Sequence, residues 1–299
     1  MTTVAELFRG RRAPATTAPR RASPAAGQSA GPVVHVLLCV LALFALGPLV
    51  IFVFSALKSQ SELAASPLSV PSSPRWGNFL AAWQQANMGA GLANSAIVVA
   101  GTVAGVCVIS GGAAYALARL DLPGGGAYLS YLLVISSLPT QMFLVPLFYL
   151  WTRLGLYDSL FGLVLIYCGL FSPFATLLLR SFLLTIPREL EEAARIDGAG
   201  ELRLLLRVVL PVAAPGFLTV ALVTGLSAYN EFLVAVTFIQ DSSRLPLSTT
   251  FFSFQQGYTQ DYTLIGAAGL IMVLPMLVLF LALQRRFIEG VSSAGLAGA

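Results

Sequence analysis

Charge is what this sequence has least of. Of its 299 residues 10% are Asp, Glu, Lys or Arg, against 57% that are hydrophobic. A soluble domain carries about 25% charged residues. A deficit of this size, spread along the chain, excludes a water-solvated globule and leaves lipid around most of it. Histidine occurs once, at His35, and cysteine three times, at Cys39, Cys107 and Cys168. The cysteines lie inside apolar runs, at a spacing that fits neither a metal site nor a disulfide framework. They read as small packing residues, and His35 as an interfacial one. No HExxH and no paired aspartates occur, and the lone histidine has no nearby acid, so neither a metal nor a catalytic residue is expected. Lysine also occurs once, as Lys58 after Leu57. A phosphate-cradling loop needs Gly-x4-Gly-Lys-Ser/Thr, so this chain is not expected to bind ATP itself. No cofactor is expected. No alternating polar and apolar pattern appears, which excludes a β-barrel. The net charge is +4, but the basic residues are not gathered on one face, so nucleic acid is not an expected partner.

What is present is apolar length. Six segments reach the roughly 20 residues that a spanning helix needs. They cover about 33–57, 92–118, 127–151, 160–182, 212–239 and 264–283. The expected fold class is therefore all-α, a polytopic membrane protein with six transmembrane helices. Residues 1–32 are rich in Arg, Ala, Pro, Ser and Thr and read as a disordered basic tail. The run after them is too long for a signal-peptide core and lacks a small-residue cleavage site before Lys58. With the tail inside, the inner segments hold 13 basic residues and the outer loops 4. The positive-inside bias then puts both termini in the cytoplasm.

The expected division is a tail (1–32), a first span with a long external loop (33–87), a five-span core (88–284) and a C-terminal tail (285–299). The external loop holds Pro67, Pro71 and Pro74, and then Phe79 and Trp83 at i,i+4, as in a short interfacial helix. The pairs Gly101-x3-Gly105 and Gly111-Gly112 suit close helix packing.

The longest charged stretch away from the tail is the inner loop 187–211. It reads Glu192-Ala193-Ala194-Arg195-Ile196-Asp197-Gly198, then nine residues, then Val208-Val209-Leu210-Pro211. Pro187 suits a helix start, and Glu189, Glu191 and Glu192 suit its positive end. Ala193 and Ala194 are small helix formers, while Gly198 and Gly200 break the helix. A second helix is expected over 201–209, with Leu202, Leu205, Leu206 and Val209 on its apolar face. Pro211 and Pro215 mark a bend into the fifth span. Within that span Glu231 follows Tyr229 and Asn230. An intramembrane charge costs at least ~2.5–3.5 kcal/mol, so it must face protein or water. The trio reads either as part of a hydrated path or gate, or as a polar group that fixes helix packing.

These residues carry a resemblance. The loop is similar to the signature of ABC-importer permeases: Glu-Ala-Ala, three residues, Gly, nine residues, an aliphatic residue, any residue, Leu-Pro. Val208 stands for the usual Ile. Ala114-Tyr115-Ala116-Leu117-Ala118-Arg119, Leu138-Pro139 through Pro146-Leu147, Tyr229-Asn230-Glu231-Phe232 (Tyr for the usual Trp) and Arg285-Arg286-Phe287-Ile288-Glu289-Gly290 resemble further stretches of the carbohydrate importers' permeases, in particular the maltose-type G subunit. The resemblance covers about residues 33–299. It implies the type I ABC importer permease fold in a bacterial plasma membrane. It also implies a second permease subunit, an ABC ATPase dimer and an external solute-binding protein as partners. The ATPase would couple through Glu192, Ala193, Ala194, Asp197, Gly198, Leu210 and Pro211, with ATP bound by that separate subunit. A sugar is the implied solute; a polyol or a glycerol phosphodiester is the alternative. A secondary transporter would show repeats and several intramembrane charges, and neither is visible.

Overall fold

A computed structural model describes residues 32–255 and 261–296, with side chains through residue 282. The tail expected over 1–32 lies outside the described residues up to residue 31. The chain divides into two compact units, residues 1–50 and 51–299. The described part of the first is most of helix α1 (Pro32–Ala56). The second begins in the last turn and a half of α1.

The second unit continues with α2 (Gln60–Ala65), α3 (Gly77–Gln85), α4 (Met88–Arg119), α5 (Gly125–Ser136), α6 (Gln141–Leu154) and α7 (Leu160–Leu184). Then come α8 (Glu189–Ile196), α9 (Glu201–Leu204), a π turn (Leu205–Val209), α10 (Leu210–Asn230), α11 (Leu233–Phe238), α12 (Leu247–Gln255) and α13 (Tyr262–Leu296). No strand occurs among the described residues.

The core is α4 against α7 and α10. Buried α4 residues recur every three or four positions, from Ser95 through Val98, Thr102, Val106, Ser110 and Ala114 to Ala118. That is the helical period, and it presents one small-residue face. A side chain at Gly105 would collide with Cys168 Sγ on α7, and one at Gly101 would press on Val164. The expected close approach over Gly101 and Gly105 is therefore made. Ser110 Oγ donates to the Ser172 carbonyl at 3.1 Å across the same contact.

Among the described residues five helices are long and apolar enough to cross a membrane, and α5 with α6 supplies a sixth crossing if counted as one broken span. The expected third span over 127–151 is not one rod: α5 and α6 meet at 97°. The break falls at Leu138-Pro139. Proline disfavours helical geometry in the residue before it, and Ser136 and Ser137 both turn their hydroxyls back onto the Leu133 carbonyl.

The expected fifth span over 212–239 is likewise corrected. It starts earlier, because α9, the π turn and α10 form one 30-residue helix, Glu201–Asn230. It ends at Asn230, where Glu231 is extended with ψ 128°. The last helix continues through Leu296, past the start of the tail expected over 285–299.

The loop expected to be external is built rather than loose. The expected short helix over Phe79 and Trp83 is α3, and Phe79 and Ala82 pack in a cluster with Ala267 and Ala268 of α13. Lys58 is fully buried, its ammonium donating to the carbonyls of Ser66 (2.8 Å) and Pro67 (3.1 Å). Asn78 Nδ2 donates to the Ala56 and Lys58 carbonyls. At the same end Asp158, at φ 55°, accepts from the backbone N–H groups of Gln240 and Asp241. Arg244 Nη1 donates to the Asp158 carbonyl at 2.6 Å, and its guanidinium lies 3.7 Å from the carboxylates of both Asp158 and Asp241.

Candidate functional site

At the opposite end of α4 the loop 187–211 folds as α8, a turn and α9. Helix α8 ends in a Schellman turn: Ala199 N–H donates to the Ala194 carbonyl and Gly198 N–H to that of Arg195, both at 3.0 Å. Gly198 sits at φ 78°, the left-handed conformation that glycine adopts without strain. Gly200 is extended (φ −71°) and carries no such demand.

Helix α8 departs from an ordinary amphipathic helix at three positions. Its acid Glu191 is buried, while Leu190 and Ile196 are exposed, Ile196 at 87%. Glu192, Ala193, Asp197 and Gly198 are exposed as well, and Ala194 is half-buried against the core. Glu191 Oε1 lies 2.6 Å from Arg119 Nε at the end of α4, with both side chains only 4% exposed. The guanidinium N–H does not point at that oxygen, so the contact is one of charge. Arg119 Nη2 donates to the Ile186 carbonyl at 2.9 Å, and Arg180 Nε of α7 donates to the Leu117 carbonyl of α4. Nearer the surface, Arg195 hydrogen-bonds Glu201. Tyr115 Oη of α4 donates to Glu201 at 3.4 Å.

The expected apolar face over 201–209 is half right. Val209 is buried and Leu205 half-buried, but Leu202 (70% exposed) and Leu206 point outward, while the unforeseen Leu204 is buried. The reason is the π turn. Its i→i+5 hydrogen bonds widen the turn beyond the α-helical 3.6 residues, which moves the buried positions to Leu204 and Val209. Leu210 and Pro211 begin α10, within the long helix; Pro211 is exposed, while Leu210 is half-buried and lines an apolar cleft of about 310 Å³ with Cys107, Gly111, Tyr115, Val209 and Phe217.

Tyr229, Asn230 and Glu231 are not brought together. Tyr229 is buried and donates to the Met272 carbonyl of α13 at 2.7 Å. Asn230 is exposed, with its amide turned back to Leu226. Glu231 caps α11, accepting from Val234 N–H and Ala235 N–H, and takes the Tyr167 hydroxyl at 2.7 Å. These contacts join Glu231 to α7 and to the start of α11.

A cleft of about 600 Å³ lies instead at the α5–α6 break, between that pair, α7 and α10. Its walls carry Phe143, Phe171 and Phe174 with Ser136, Thr140, Thr224 and Ser227, and no charged residue. Sequence reasoning missed this cleft because it took 127–151 as a straight rod. It also missed the Arg119–Glu191 pair. An arginine ending a small-residue span, and an acid at the small-residue face of α8, were the available signals. Among the described residues no group of three His, Cys, Asp or Glu side chains gathers to hold a metal ion.

Residues 108–293 match the family model of the binding-protein-dependent transport system inner membrane component. The chain is 34% identical over 274 residues to the diacetylchitobiose uptake system permease protein NgcG of Streptomyces coelicolor, covering 91% of each. It is 34% identical to the sulfoquinovosyl glycerol transport system permease protein SmoH of Agrobacterium fabrum, over 84% of this chain and 88% of that one. It is 31% identical to the melibiose/raffinose/stachyose import permease protein MelC of Bacillus subtilis, over 84% and 91%. A chain in the crystal structure of a bacterial ABC transporter that imports the acidic polysaccharide alginate superposes with a TM-score of 0.75 at 22% identity, covering 85% of this chain and 95% of that one. With an all-helical bundle of five or six crossings, a family model matching most of its length and relatives that align nearly end to end, this chain belongs to the binding-protein-dependent transport system inner membrane components, the permeases of ABC importers.

Proposed function

We propose that this chain is one of two permease subunits of an ATP-driven sugar importer in a bacterial plasma membrane. A separate ATPase dimer docks on the loop 187–211, a second permease completes the translocation path, and an external binding protein delivers the solute. The observation that carries the docking reading is the apolar surface that this loop leaves exposed. Exposed Leu190, Ile196, Leu202 and Leu206 stand among charged residues, where an apolar surface on a polar loop marks a protein contact. Small Ala193 beside exposed Glu192 leaves room for the helix to enter a groove. The family and the sugar-importing relatives support the solute class. So does the 600 Å³ cleft. Hydroxyls and aromatic rings without charge suit an uncharged sugar passing along this subunit's wall, and give no counter-charge to a phosphodiester.

Gly198→Pro and Glu192→Lys test the docking. Proline is locked near φ −65° and is incompatible with the φ of 78° at this turn. Both variants are expected to insert in the membrane and to lose copurifying ATPase and sugar uptake. Wild-type uptake in both would remove the loop from the mechanism.

A further inference from the structure

The exposed face of α8 leaves its buried face without a part in docking, and that face holds the closest ion pair of the described residues. We propose that Arg119 and Glu191 form a strut that makes α8 move as one body with the inner end of α4, so that displacement of a docked ATPase enters the bundle through the second span. The proposal rests on the docking reading above and adds the route by which force arrives.

The turn between α8 and α9 is closed by backbone hydrogen bonds around Gly198 and by Arg195, which bonds Glu201 across it, so α8 is tied to the start of the long helix as well as to α4. Two observations support the strut. The side-chain links to α4 are direct. Arg119 joins Glu191 on α8 and the Ile186 carbonyl just before it, and Tyr115 reaches Glu201 beyond the Gly198 turn. The α4 end thus holds the loop on both sides of its turn. Arg180 locks α7 to the same level of α4 through the Leu117 carbonyl. Finally, a buried ion pair adds little net stability over an apolar pair of the same volume. What it adds is stiffness and direction, because a guanidinium that stays charged loses its only counter-charge if α8 slips. Arg119 and Glu191 are positioning residues; neither touches solute nor nucleotide.

The test uses the full importer with its ATPase, in a cysteine-free background. Nitroxide labels at Arg188→Cys and Leu122→Cys report α8 against the end of α4; labels at Arg188→Cys and Val212→Cys report α8 against the start of the fifth span. Distances are measured without nucleotide and after trapping with ADP and vanadate. The 188–122 distance is expected to stay fixed while the 188–212 distance shifts. Arg119→Met with Glu191→Leu keeps the volume and should fold and retain the ATPase, yet broaden the 188–122 distribution and lower ATP-driven uptake severalfold. Exchanging the charges, Arg119→Glu with Glu191→Arg, should recover part of both. A 188–122 distance that shifts as much as 188–212, or an apolar pair that transports at the wild-type rate, overturns the strut. A wild-type permease that fails to retain the ATPase at all overturns the docking reading beneath it.

Discussion

At Glu231 a single carboxylate accepts from two backbone N–H groups and one phenol. Glu231→Leu leaves the buried N–H groups of Val234 and Ala235 without an acceptor, about 1–3 kcal/mol for each such group. Glu231→Gln keeps one oxygen and loses about 1 kcal/mol. The thermal midpoint of the detergent-purified protein should fall further for Leu than for Gln, and Tyr167→Phe should fall least. Equal midpoints for all three would show that the cap contributes nothing. The sequence made the importance of this acid plain, since a carboxylate in an apolar run must find partners. It could not show the partners. Leu233 to Phe238 continue the apolar pattern, so the chain break at Glu231 leaves no trace in hydropathy. Without the break, Tyr229, Asn230 and Glu231 look like neighbours on one rod, whereas they point to three different elements.

Among elements, the α4–α7 contact was the most legible. Gly101 and Gly105 at i,i+4 announce a close crossing, and the structure sets both against α7. Gly105→Ala would put a methyl into Cys168 Sγ, an overpacking that costs about 1–3 kcal/mol. Cys168→Ala removes the sulfur, so the double variant is expected to regain most of that loss in the thermal midpoint. An additive double variant would mean that the two residues do not meet. The π turn was illegible for a different reason. A pattern read at 3.6 residues per turn assigns Leu202 and Leu206 to the core, and only a longer turn selects Leu204 and Val209. The 97° break of α5 and α6 fell between these cases: Pro139 signals it, but the apolar run on either side hides it.

The outer loop responds to pH through Glu62. A hydrogen bond from Ser72 N–H holds its carboxyl below the ordinary carboxylate range. The sign follows from linkage: a lowered folded-state value stabilises the loop above the unfolded value, and that stabilisation is lost as pH falls through the folded one. Exchange of the Ser72 amide should accelerate, relative to intrinsic exchange, as pH drops below the carboxylate range, and Glu62→Gln should abolish the dependence.

For the whole molecule, composition and segment length led to an all-helical membrane bundle, because lipid permits few other solutions. Orientation rests on the asymmetry of 13 basic residues to 4. Cysteines at Ser72 and Ser243, in a cysteine-free background, should react with an impermeant maleimide added to intact cells, and Ser292→Cys should not. Labelling of Ser292→Cys from outside would invert the topology and move the loop 187–211 away from any cytoplasmic ATPase. The proposed assembly partners are implied only by the resemblance and the family, since no rule of hydropathy or charge names a partner for an exposed loop.

The burial of Lys58 has a practical consequence. It is the sole lysine of the chain, and its amine is sealed against two carbonyl oxygens. Amine-reactive esters should therefore find no lysine on the native permease, and a lysine-specific endoprotease no bond to cut. Opening the external loop exposes one target of each kind. Acylation of that single amine, followed by intact-mass spectrometry, reads out loop opening as a change of one adduct, and offers a built-in clock for how often the clasp releases during transport.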